Sequence, residues 1–271
     1  MGRFDGSVVL VTGAAKGQGR SHAVRFAEEG ADLVLVDVAA DLPGVPYAQG
    51  TAEQLEETAA LVERAGRRAV VARADVRDRA ALDAAVRAGV DALGPLGVVV
   101  ANAGVVQIKP AAEVTVEDWA TVVGINLTGT WNTVQLALPH LAPGASVIVT
   151  SSAAGAKGVP HMSHYSAAKA GLLGLVRSLA AELGPQGIRV NAVLPTTVDT
   201  DMVRWSYPMF RPDLPEPGPA DVHDAFAALN VLPVPWIEPA DVTAAVLWLA
   251  SAEARYVTGV TLPVDAGTLV R

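Results

Sequence analysis

The chain contains no cysteine. Disulfides, thiolate metal sites and cysteine nucleophiles are excluded together, and the absence fits a cytoplasmic location. Positive charge is also scarce. Twenty Lys and Arg face 28 Asp and Glu, a formal net charge of -8, which disfavours nucleic acid or an anionic membrane as partner. No apolar run approaches the roughly 18 residues needed to cross a bilayer. The opening Met1-Gly2-Arg3-Phe4-Asp5-Gly6 lacks the apolar stretch of a secretory signal. It also has Gly6 where a myristoylation signal carries Ser or Thr. His, Asp and Glu are scattered without metal-ligand spacing, so no metal is assigned.

What the chain has in quantity is apolar sequence: 51% hydrophobic residues and only 18% charged over 271 positions. Such a chain can bury a sizeable core, which excludes disorder, and its length suits one large α/β domain or at most two small ones. Apolar runs stand at residues 7–12, 32–37, 69–73, 97–101, 146–151, 188–193 and 260–264. The first, second, fourth and fifth are nearly continuous, as strands covered on both faces require. Between them lie Ala- and Leu-rich stretches of helical period, such as 52–65 and 79–93. The alternation predicts an α/β fold: a doubly wound, Rossmann-type parallel sheet of about seven strands with helices on both faces. No repeat, low-complexity tract or linker divides it, so a single domain covering 1–271 is expected.

Two segments break the rhythm. Residues 38–51 form a long gap between a strand and its helix, where about 2–6 residues is usual. Residues 201–238 hold seven of the 18 prolines and five of the 13 aromatics, namely Trp205, Tyr207, Phe210, Phe226 and Trp236. The first is expected to be an insertion, the second a lid over the substrate. Trp119, Trp131 and Trp248 read as packing residues on helices, His22 as part of the first helix surface or its contacts, and His161 and His164 as loop and helix-start residues.

The first strand runs directly into Thr12-Gly13-Ala14-Ala15-Lys16-Gly17-Gln18-Gly19, which opens a helix over 18–29. Gly13 permits a tight turn, and Gly17 and Gly19 let backbone approach a pyrophosphate. The helix N-terminus offers free N–H groups and partial positive charge. Asp37 ends the second strand, 18 residues after Gly19. Its carboxylate can accept from the ribose 2′-hydroxyl of NAD and would repel the 2′-phosphate of NADP. Lys16 is the counter-signal, since a cation there could receive that phosphate. The balance favours NAD.

Tyr165 and Lys169 share a helix face within 163–180. A free phenol ionises near pH 10, and a neighbouring ammonium lowers that value toward the range useful to a general acid/base. Ser152, at the end of the fifth strand, can hold the substrate oxygen.

Together these motifs resemble the short-chain dehydrogenase/reductase family over nearly the full length. Further matching segments are Asp75-Val76, Asn102-Ala103-Gly104, Asn126, Val257-Thr258-Gly259 and Val264-Asp265. The resemblance implies that Tyr165 is the acid/base and that Lys169 binds the nicotinamide ribose and lowers the Tyr165 pKa. Ser152 would orient the reacting oxygen, and Asn126 would support a water-linked proton path. On the cofactor side, Lys16 and Gln18 join the glycines of the turn, and Val38 stands beside Asp37. Asp75 and Val76 would hold adenine, and Asn102, Ala103 and Gly104 the central section. Pro195, Val198 and Thr200 lie at the carboxamide end. One departure is Thr196, where the family usually has glycine, so the turn there is expected to differ in detail.

Residues 13–23, 191–200 and 232–236 further resemble the carveol dehydrogenase-like, mycofactocin-coupled subfamily. That subfamily carries an insertion after the second strand, where 38–51 stands here. The resemblance implies tightly held, poorly exchanging NAD, a mycofactocin-type electron acceptor and a homotetramer. The expected reaction is hydride transfer between NAD(H) and a secondary, apolar alcohol or ketone, cyclic or terpenoid. Its rivals are an NADPH-dependent ketoacyl-type carbonyl reductase and, outside catalysis, a dinucleotide-sensing binding protein. The intact Ser152, Tyr165 and Lys169 argue against the latter.

Overall fold

Strands form where the apolar runs stand. A computed structural model describes residues 2–271. It places β1 at Val8–Thr12, β2 at Asp32–Asp37, β3 at Ala69–Arg73, β4 at Leu96–Ala101, β5 at Leu141–Thr150, β6 at Arg189–Pro195 and β7 at Thr261–Val264. All pair in parallel in the order β3-β2-β1-β4-β5-β6-β7. Every residue of β1, β2 and β6 is buried, the consequence of helices covering both faces. Alternation divides the inward side chains. Leu10, Val34 and Val99 face one core, together with Leu82, Val134, Leu172 and Val176. Val9, Val11, Leu33 and Leu35 face the other, with Phe26, Leu55, Val62 and Val246.

The helices are α1 (Gly17–Glu28), α2 (Ala52–Arg64), α3 (Arg79–Leu93), α4 (Val116–Val123), α5 (Thr130–Ala137) and α6 (Ser163–Leu183). They continue with α7 (Asp201–Arg204), α8 (Tyr207–Phe210), α9 (Pro219–Ala227) and α10 (Pro239–Ala250). A π-helical turn, Gly124–Gly129, joins α4 to α5. Strand order reverses between β1 and β4, the point where ligands bind such sheets.

Residues 38–51 carry no helix or strand. The segment ends where Thr51 and Gln54 cap α2 reciprocally, at 3.2 and 3.1 Å. His22 belongs to the contacts of the first helix rather than to its exposed surface. It is fully buried, with Nδ1 2.7 Å from Thr243 Oγ1 on α10. Trp119, Trp131 and Trp248 do lie on helices, but they are 47%, 43% and 36% exposed rather than packed inside. Within residues 201–238, Tyr207, Val222 and Phe226 make a small core of their own with Trp236 against it.

Candidate active site

A cavity of about 860 Å³ opens at the C-terminal ends of the strands. Each of the nineteen cofactor and catalytic positions inferred from sequence lines it: Gly13, Lys16, Gly17, Gln18, Gly19, Asp37, Val38, Asp75, Val76, Asn102, Ala103, Gly104, Asn126, Ser152, Tyr165, Lys169, Pro195, Val198 and Thr200. The sheet explains their convergence, since most stand at or just past the end of a strand.

The turn after β1 is built for close approach. Gly13 has φ +71, and a Cβ on Gly19 would stand 1.9 Å from the Gly13 carbonyl oxygen. Thr12 Oγ1 accepts the N–H groups of Asn102 and Ala103 at 3.1 and 3.2 Å, and Asn102 Nδ2 donates to the Thr12 carbonyl at 3.0 Å. Asn102 therefore braces the glycine turn from β4, which the sequence alone did not reveal. Lys16 begins α1 without a side-chain cap, so the first N–H groups of the helix remain available to an anion. Asp37, 9% exposed, accepts the Ala15 and Ala39 N–H groups, each at 2.9 Å. A carboxylate offers about four lone-pair sites, so capacity remains for a further donor. Lys16 turns toward residues 38–51 and 201–238, with Nζ 2.6 Å from the Ala48 carbonyl and 3.0 Å from Asp201 Oδ2.

On the other side, Ser152 Oγ accepts the Ala154 N–H at 3.1 Å. Lys169 is buried, donates to the Thr150 carbonyl at 2.8 Å and lies 5.7 Å from the centre of the Tyr165 ring. Burial pushes Lys169 down to about 7. Burial also pushes the Tyr165 phenol up, and the hydrogen bond with Ser152 offsets only part of the rise. The net direction at the phenol is thus opposite to the lowering that the resemblance implies for Lys169. Burial dominates both groups because it penalises the charged form of each. Asn126 sits in the π-helical turn, donating Nδ2 to the Val105 and Val122 carbonyls at 2.8 Å each, while its buried Oδ1 has no protein partner.

Thr196 needs no glycine-like conformation; positive φ outside glycine occurs at Ala39, His161 and Ala266 among the described residues. Its hydroxyl lies 2.7 Å from Thr268 Oγ1 and 3.3 Å from Asn230 Oδ1, tying the turn after β6 to the segment 201–238 and to the last residues. Of the five aromatics in 201–238, Phe210 and Phe226 line the cavity. Tyr207 and Trp236 instead pack on each other at 6.1 Å, and Trp205 stacks on Tyr47 at 5.7 Å. The same segment adds Met202, Met209 and Leu229 to the cavity wall. His161 lines the cavity, whereas His164 is buried with Nε2 3.1 Å from Gln107 Oε1.

Residues 13–268 match the family described as enoyl-(acyl carrier protein) reductase. A curated relative, (-)-trans-carveol dehydrogenase of Rhodococcus erythropolis, is 49% identical over 100% of both chains. The chain belongs to the short-chain dehydrogenase/reductase family. Solved short-chain dehydrogenase/reductase structures share the whole fold. Carveol dehydrogenase from Mycobacterium avium in complex with NAD superimposes with a TM-score of 0.98 at 49% identity, covering 100% of both chains. A short chain dehydrogenase from Mycobacterium paratuberculosis bound to NAD does so with 0.90 at 43% identity, again over 100% of both.

The residues present fit a dinucleotide. The uncapped helix start and glycine turn suit a pyrophosphate, Asp37 suits a ribose hydroxyl, and two buried acceptors without partners, Gln18 Oε1 and Asn126 Oδ1, face the same cavity.

Proposed function

We propose that this short-chain dehydrogenase/reductase transfers a hydride between NAD(H) and a secondary, apolar alcohol or ketone, cyclic or terpenoid. One observation carries the reading: a single cavity joins Ser152, Tyr165 and Lys169 to an anion-ready helix start and to Asp37. The carveol dehydrogenase relatives support the alcohol class and the NAD-bound relatives the cofactor.

Bound NAD supplies the nicotinamide carbon that accepts or returns the hydride. Ser152 Oγ and Tyr165 Oη hold the substrate oxygen between them. Tyr165 takes the hydroxyl proton as the alcohol is oxidised and gives it back in the reverse direction. Lys169 binds the ribose and, when protonated, favours the phenolate. Asn126 Oδ1 holds a water that connects Lys169 to solvent. The apolar lid residues exclude bulk water from the reacting carbon. Asp75 and Val76 would hold the adenine, and Pro195, Val198 and Thr200 the carboxamide end.

An NADPH-dependent reductase would need a cation free to meet the 2′-phosphate, but Lys16 is engaged by Asp201 and Ala48. We further infer that residues 38–51 retain the cofactor, so that a mycofactocin-type acceptor reoxidises it in place. Leu42, Tyr47, Gln49 and Gly50 on the cavity wall support this. The enzyme is read as a cytoplasmic homotetramer, with half-exposed Trp119 and Trp131 as apolar surface for subunit contacts.

The test is single-turnover reduction of protein-bound NAD by a secondary alcohol, in the parent and in Tyr165→Phe. The parent should form NADH and the variant should not; a parent that forms none with any secondary alcohol refutes the reading.

A further inference from the structure

Residues 38–51 run along the cavity wall beyond Asp37. After Asp37 the segment crosses toward the loop that follows β4, and two of its anchors lie there. The Gly44 carbonyl accepts Gln107 Nε2 at 2.6 Å, and Tyr47 Oη accepts the Val106 N–H at 2.9 Å. Gln107 in turn meets His164, the neighbour of Tyr165 in α6, at 3.1 Å. The third anchor, Ala48 on Lys16, holds the segment at the glycine turn.

Tyr47 is thereby fixed at two points. Its hydroxyl is pinned by backbone, and its ring lies against Trp205 of the lid at 5.7 Å with an interplanar angle of 19°. A tyrosine held this way has few rotamers left, so its ring is a rigid surface. That surface borders the cavity together with Val106, Ile108, Met202, Met209 and Phe210. The same cavity is lined by Tyr165.

We propose that Tyr47 is a specificity-determining residue: its ring, pinned by Val106 and stacked on Trp205, forms the wall of the substrate half of the cavity and sets the width of alcohol accepted at Tyr165. The inference rests on the dehydrogenase reading above and deepens it. One segment then serves both ligands, beginning at the adenosine ribose and ending against the substrate. The chemistry selected is a compact apolar ring bearing a secondary hydroxyl, since the wall is an aromatic surface and its neighbours are Val, Ile, Met and Phe.

The experiment compares kcat/KM for cyclohexanol and for carveol in the parent, Tyr47→Ala and Tyr47→Leu. Removing the wall should favour the wider alcohol. The carveol-to-cyclohexanol ratio should rise by about tenfold or more in Tyr47→Ala, since fit differences of methylene size are worth about 10–200-fold. Tyr47→Leu keeps apolar volume and fold, and its ratio should move in the same direction. A ratio within about twofold of the parent in the variants that fold overturns the proposal, even where both constants fall together, because a merely structural tyrosine lowers them in parallel. Activity of the parent toward these alcohols separates the two claims. An active parent with an unmoved ratio removes only the role of Tyr47, whereas a parent that forms no NADH in single turnover with these or any other secondary alcohol removes the dehydrogenase reading and the proposal with it.

Discussion

Replacing Asp37 by Ala should have two effects that the structure keeps separable. The carboxylate is almost wholly buried and accepts the Ala15 and Ala39 N–H groups at 2.9 Å each. Its removal leaves two backbone donors without partners, each costing about 1–3 kcal/mol. Thermal unfolding of the cofactor-free variant should therefore show a loss on the order of 2 kcal/mol or more. The second effect is on cofactor choice. A hydrogen bond between a charged acceptor and the ribose 2′-hydroxyl is worth about 1.5–3 kcal/mol, so NAD should bind about 10–100-fold more weakly. NADP should lose little, because the repulsion between Asp37 and its 2′-phosphate disappears. Calorimetric titration of cofactor-stripped parent and variant with NAD and NADP measures both constants, with thermal unfolding run alongside. The reasoning fails if stability falls while the ratio of the two constants is unchanged. Asp37 would then brace the glycine turn and the loop after β2 without reading the ribose.

Shortening residues 38–50 to a tight turn removes the Ala48, Gly44 and Tyr47 anchors together, and NAD should leave faster, since covering a ligand acts chiefly on its dissociation rate. Equal rates in stopped-flow displacement would contradict retention by the insertion. Within the lid, Phe210→Ala should change the preference among alcohols because Phe210 lines the cavity. Trp236→Ala should lower stability by about 1–3 kcal/mol with little change in preference, because Trp236 packs on Tyr207 and Phe226 instead; kinetics and thermal unfolding of the two variants check the contrast.

The sheet was legible because burial on both faces forces continuous apolar runs, and β2 and β3 appear with the bounds their residues suggest. Gly13, Asp37, Ser152, Tyr165 and Lys169 were legible for a related reason: local spacing puts them at strand ends or on one helix face. What escaped the sequence depends on contacts between distant residues. Residues 38–51 have no period of their own, and their course is set by partners such as Lys16 and Gln107, 32 and 63 positions from Ala48 and Gly44. Likewise Thr196 was visible as a departure, but not its bonds to Thr268 and Asn230. The lid's aromatics divided between an internal cluster and the cavity in a way that composition does not specify. The net direction of the Tyr165 shift also required the depth at which the phenol is buried.

The account rests most heavily on Tyr165 as the group that moves the substrate proton. The direct measurement is the single-turnover rate of NADH formation from a secondary alcohol, parent against Tyr165→Phe, with bound cofactor quantified in the same samples. The substitution deletes one oxygen and little volume. The predicted result is a rate lower by about 10²–10⁴-fold with cofactor content unchanged. A variant that keeps its cofactor and reacts within about threefold of the parent would contradict it.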